Sequence, residues 1–305
     1  MTRRLEQPSV REYSLAAQGS GPYGVTAGAD GSLWITLVHH GQVAHMEPNG
    51  STTLYPLDSG TCAPSLITAG PDGAMWFTRT QDDRIGRITA TGKAESFALP
   101  TPDARPFGIA AGPDGALWFT EMNADQVGRV TPDGEITEFA LPTRGGFPSF
   151  IVAGAGAAGS EGDLYFTLNQ ANAIGHITVS GKVALHPLPT ADAGPVGITR
   201  GSDDALWFVE IAAGQIGRLT PDGGIQEFPL PRRDARPHAI AADPEGGCWF
   251  TEWGANRIGH VTEDGDIDLV DLPTPSSEPH GIAVTGDGTV WAALEIGRVA
   301  ALTVR

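Results

Sequence analysis

The strings Arg236-Pro-His238-Ala-Ile240 and Glu278-Pro-His280-Gly-Ile282 set two imidazoles in the same local frame, 42 residues apart. A proline before each histidine fixes the backbone as the chain turns into a short apolar run, so the two side chains should emerge in equivalent places. Only the second string begins with an acid, Glu278, and a further acid, Glu295, closes the same segment. Two carboxylates beside an imidazole, with no cysteine near, suit a hard divalent ion such as Mg²⁺ with water completing its shell. The imidazole would then serve as a proton acceptor poised near neutral pH. A lone histidine is more often a hydrogen-bonding or loop residue than a catalytic one. Two in one frame, one of them two residues from an acid, shift the balance towards chemistry.

Those frames belong to a repeat. Prolines open equivalent segments at 22, 64, 106, 148, 195, 237 and 279, and an aromatic column follows at Trp34, Trp76, Trp118, Tyr165, Trp207, Trp249 and Trp291. The steps are 42 residues except between 148 and 195, where a Gly/Ala-rich insert around 155–161 lengthens a turn. The copy from Arg105 to Pro142 shows four short apolar runs, with Asp-Gly pairs at 114–115 and 133–134 separating the first two and the last two. Asp-Gly supplies the positive φ of tight hairpins, so one copy reads as a four-stranded antiparallel meander. Seven copies predict an all-β, seven-bladed propeller occupying residues 1–305 as a single domain. The rival is an open solenoid of sheets. The chain starts with a stretch like a fourth strand, Val10–Leu15, and ends after the third strand of the seventh copy. An N-terminal strand completing the last blade would close the ring and leave no bare edge.

Within a closed ring, columns of equivalent residues separate scaffold from departures. The residue after the opening proline is Tyr23, Ser65, Phe107, Ser149, Val196, His238 and His280 in turn. These should ring the mouth of the central channel, with closure setting Tyr23 beside His280. The residue before the proline is acidic only at Glu278. Glu121, Glu210 and Glu252 end second strands, whereas the seventh copy has Leu294 there and its acid one place later, at Glu295. Trp253 falls outside the aromatic column and is expected as an exposed aromatic at a binding face; the other six tryptophans are expected between blades. The Arg of the Ile-Gly-Arg-Ile-Thr third strands is expected to be structural, lying on a wet face of the blade or pairing with acidic turn residues. His176 and His260 replace that Arg, His186 sits near the rim, and His39, His40 and His45 read as polar surface of blade one.

The formal charge of −17, from 36 acidic and 19 basic residues, argues against nucleic acid or an anionic membrane as partner. Cys62 and Cys248, in blades two and six, make no disulfide framework. No run reaches membrane-spanning length and the N-terminus lacks an apolar signal core, so a soluble cytoplasmic protein is expected; a monomer is the expected state.

With these residues in hand the chain resembles the streptogramin B lyase (virginiamycin B lyase) family. The likeness runs over essentially its full length and is most specific at Arg236–Ile240, Thr251-Glu-Trp-Gly-Ala-Asn256 and Glu278–Ile282. The resemblance implies a Mg²⁺-dependent carbon–oxygen lyase that linearises cyclic hexadepsipeptide antibiotics without hydrolysis and so inactivates them. It implies His280 as general base, Glu278 and Glu295 as metal ligands, and His238 and Tyr23 as further active-site residues. One departure is the short segment after Glu295, which passes directly into Ile296-Gly297. Tyr23, His238, Phe107, Phe147 and Trp253 are the expected contacts for a bulky aromatic macrocycle. Two other functions fit the same residues: a metal-dependent lactonase or esterase on a propeller, and a non-catalytic binding module.

Overall fold

The computed structural model describes residues 8–15, 17–154 and 162–304. The N-terminal heptapeptide and the Gly/Ala-rich insert at 155–161 lie outside the described residues. Seven four-stranded antiparallel sheets form, and six follow chain order from innermost to outermost strand. In blade one these are Pro22–Ala27, Leu33–Leu37, Gln42–Met46 and Thr52–Pro56. The seventh sheet combines Pro279–Val284, Val290–Leu294 and Arg298–Thr303 with Ser9–Ser14, which pairs antiparallel to Arg298–Thr303. The ring is a β-propeller closed by its N-terminal strand, as the repeat register predicts.

The joining strand behaves like any other outer strand. Glu12 accepts the Thr274 backbone N–H at 3.0 Å, as Glu138 does from Thr101 at 3.1 Å and Glu227 from Thr190 at 3.0 Å. Five of the seven second strands are buried at every position, Leu117–Glu121 among them. The apolar core therefore lies between blades; one cluster joins Trp207 and Val209 of blade five to Cys248 and Phe250 of blade six. Outer strands bury little: no position of Ile136–Ala140 is fully covered.

The aspartate of several turns is occupied by the scaffold. Asp114 accepts the Trp118 indole N–H at 3.0 Å and pairs with Arg129 at 2.6 Å, and Asp72 does the same for Trp76 and Arg87. His176 and His260 take the arginine's place against Asp163 and Asp243. Part of the acidic excess is thus structural. Five of the six column tryptophans are buried; Trp291 is half-buried, its ring 5.7 Å from Tyr13. Both cysteines are buried and free. No helix among the described residues is long and apolar enough to cross a membrane.

Candidate active site

Each innermost strand carries one extra residue relative to its neighbour. In blade seven Pro279 lies opposite Leu294 but Ile282 opposite Ala292, so three steps on one strand match two on the other. Such a bulge twists the strand and re-aims a side chain, here the residue after the opening proline. Its position is set again from the preceding blade. Thr251 donates its hydroxyl to the His280 carbonyl at 2.8 Å while accepting the Ala239 N–H at 3.0 Å. Thr78 and Thr167 hold Phe107 and Val196 in the same way, each at 2.7 Å. The column has Val209 and Ala293 where the next mouth residues are His238 and Tyr23. His280 is therefore the clamped member of the group. Closure is tight: a Cβ on Gly281 would lie 2.4 Å from the Tyr23 carbonyl oxygen, a distance only glycine permits.

The columns converge as their register requires. Tyr23 stacks on His280 with ring centroids 4.4 Å apart, and His238 meets His280 edge-on at 4.8 Å. The Tyr23 hydroxyl lies 3.3 Å from His238 Nε2. Glu278 stands at the positive-φ position before the opening proline, and its carbonyl accepts the Glu295 backbone N–H at 3.2 Å. That bond sets the two acids side by side. One ligand atom each from Glu278, His280 and Glu295 fall within 4.8 Å of one another. Two hard carboxylates partly open to water fit a divalent cation such as Mg²⁺ with water completing its shell, and leave the adjacent imidazole free for proton transfer.

His280 Nε2 contacts Glu295 Oε2 at 2.6 Å. A carboxylate only accepts, so Nε2 carries the proton in this contact. The hydrogen bond from His280, against a smaller opposing effect of burial and helped by His39, holds Glu295 down at about 2. Burial, then the proximity of His280, pushes His238 down to about 3. Burial, then Glu295, pushes the Tyr23 phenol up. Near neutral pH His238 and Tyr23 are uncharged hydrogen-bonding groups beside an ionised Glu295.

Phe107 packs against Tyr23 at 6.0 Å, and Trp253 lies 6.4 Å from His280. Trp253 is half-buried rather than fully exposed, because Arg236 covers its ring at 5.4 Å. A groove of about 510 Å³ runs along Arg232, Arg236, Trp253, Asn256 and Glu278. Phe147 stands at the positive-φ column and makes no ring contact with this group among the described residues. Two residues went unnoticed in the sequence. Phe150 occupies a column that is glycine in four blades, touches Phe107 at 5.7 Å and His238 at 6.0 Å, and lines a channel cavity of about 140 Å³ beneath them. Its column departure was the available signal. His39 is exposed, as expected, and also bonds Glu295 Oε1 through Nε2 at 2.8 Å. His45 likewise stacks on Trp34 at 4.3 Å.

The model of the virginiamycin B lyase family matches residues 8–302. The chain belongs to the virginiamycin B lyase family. It is similar to the solved virginiamycin B lyase from Staphylococcus aureus, with 44% identity and a TM-score of 0.93 over 98% of this chain and 100% of that one. A catalytically inactive form of the staphylococcal lyase solved with quinupristin superimposes with the same coverage, identity and TM-score. Among curated relatives, virginiamycin B lyase of Saccharopolyspora erythraea is 55% identical over 50 residues, a segment covering 16% of this chain and 17% of that protein. That sequence match therefore spans well under two thirds of the relative, whereas the structural likeness is end to end.

Proposed function

We propose that the chain is a carbon–oxygen lyase that opens type B streptogramin cyclic hexadepsipeptides at their threonyl ester, inactivating them without consuming water. The observation that carries this reading is the clamped His280 set beside Glu278 and Glu295 in one mouth, in a member of this family. His280 Nε2 abuts a carboxylate that is 27% exposed, whereas Nδ1 is enclosed and without a hydrogen-bond partner among the described residues. Nε2 is thus the nitrogen that reaches substrate, once the Glu295 contact opens. As that contact opens Nε2 releases its own proton to solvent, and the bare nitrogen takes the threonyl α-proton; the C–H electron pair becomes the Cα–Cβ double bond, and the Cβ–O bond breaks with its pair leaving on the carboxylate. The product is a linear chain with a dehydrobutyrine residue and a free C-terminal carboxylate, equal in mass to the parent.

Mg²⁺ held by Glu278 and Glu295, with water completing its shell, would supply positive charge to the substrate oxygens as negative charge develops. His238 and Tyr23, both uncharged, hydrogen-bond the ester region rather than remove protons. Phe107, Phe150 and Trp253 give the apolar walls that an aromatic macrocycle needs. Incubation with a type B streptogramin, with and without chelator, followed by mass spectrometry tests this. An isobaric linear product formed only with divalent cation supports the lyase; a product heavier by one water indicates an esterase, and no turnover of several such substrates with Mg²⁺ sinks the reading.

A further inference from the structure

Glu278, His280 and Glu295 all belong to blade seven, yet a blade-one residue touches the site they form. His39 Nε2 lies 2.8 Å from Glu295 Oε1, while His280 Nε2 engages Oε2. Each carboxylate oxygen therefore has its own imidazole, and the two imidazoles come from opposite sides of the ring seam.

The backbone explains why Glu295 needs such a partner. Second and third strands are joined by four residues in blade six, 253–256 between Glu252 and Arg257, and likewise by 122–125 in blade three. In blade seven only 295–297 separate Leu294 from Arg298, so Glu295 sits on a shortened turn. Its equivalents elsewhere are Val38, Thr80, Met122, Asn169, Ile211 and Trp253, so nothing in the repeat is built to orient a carboxylate there. His39, one place further on, stands in a column that is otherwise Gln81, Asn123, Gln170, Ala212, Gly254 and Ile296. It is the imidazole of that column.

Its ring is also seated. The Val38 N–H bonds the Gly21 carbonyl at 2.9 Å and the His39 N–H bonds Ser20 at 3.3 Å, which hold the His39 backbone against the start of blade one. A Cβ on Gly21 would lie 2.5 Å from His39 Cδ2 and 3.0 Å from its Cγ. Glycine at 21, with φ of 70°, leaves the space the ring occupies. The side chain of His39 is 49% exposed, and pairs of that kind contribute little to global stability. The contact's consequence is geometric.

We propose that His39 is a positioning residue: it reaches across the seam, fixes the Glu295 carboxylate by one N–H···O bond, and so presents it with Glu278 to a divalent cation. This rests on the cation reading of Glu278 and Glu295, not on the identity of the substrate. Partners that orient a metal-binding carboxylate typically change affinity by about 10- to 100-fold when removed.

The test is Mg²⁺ and Mn²⁺ binding by isothermal titration calorimetry to the wild type, His39→Ala and His39→Gln, with melting temperatures as the folding control. Glutamine keeps an N–H donor at similar reach, so His39→Gln should bind within about 3-fold of wild type while His39→Ala loses about 10-fold. Gly21→Ala, which crowds the ring, should weaken binding in the wild-type background and have no further effect on affinity in His39→Ala. Equal affinity of His39→Ala and wild type overturns the proposal, as does a glutamine variant no better than alanine. A wild type that binds neither cation removes this proposal together with the cation reading. Cation binding without turnover of any streptogramin strikes only the substrate reading, since the three affinities still decide the role of His39.

Discussion

Glu121 offers a sharp test of how the scaffold handles its buried acids. It ends the second strand of blade three, is 0% exposed, and neither carboxylate oxygen has a hydrogen-bond partner among the described residues. Burial, with Glu138 and Asp83 adding to it, pushes its pKa from 4.5 up to about 8. The native state therefore holds a proton that the unfolded chain gives up. Between pH 4.5 and 8 the folded form binds more protons, so stability falls as pH rises through this window and is level above it. A shift of about 3.5 units corresponds to about 5 kcal/mol at 1.36 kcal/mol per unit, with water entry reducing it. Glu121→Gln keeps the shape and stays neutral at every pH. Urea unfolding from pH 5 to 9, with m-values compared, should show the variant close to wild type at pH 5 and more stable by several kcal/mol at pH 9. Parallel pH profiles for the two proteins would refute the reasoning. Glu210 and Glu252, pushed by burial to about 7, should make the same kind of contribution over a narrower range.

Three further outcomes follow from the site. His280→Ala should lower kcat by at least about 10²-fold, the lower end for loss of a general base, with an unchanged melting temperature. Thr251→Val leaves the Ala239 N–H and the His280 carbonyl without their shared hydroxyl, so it should cost about 1–3 kcal/mol in unfolding free energy and lower kcat more than it raises KM. Phe150→Ala removes the wall between mouth and channel cavity; steady-state kinetics should show KM for an aromatic macrocycle rising while kcat changes little.

The repeat made the fold legible because every blade states the same strand and turn pattern, and because Val10–Leu15 reads as the one strand missing from blade seven. The mouth residues were legible for a related reason: a fixed frame of proline and bulge carries His238, His280 and Tyr23 to equivalent places, so their departure from Ser or Val stands out. His39 was not legible. Its contact with Glu295 spans 256 residues and depends on seam closure, on the space left by Gly21, and on a turn one residue short. Phe150 was readable as a column departure but lay one place beyond the column that was followed. Phe147 drew notice as an aromatic beside the opening proline, yet that position takes positive φ and lies apart from the ring cluster.

Elimination at the threonyl ester consumes no water, and hydrolysis consumes one. Turnover of a type B streptogramin in H₂¹⁸O, followed by mass spectrometry, tells the two apart most directly. Elimination gives a linear product with the parent mass, no ¹⁸O, and a dehydrobutyrine residue in place of threonine. A product carrying one ¹⁸O and an intact threonine would contradict it.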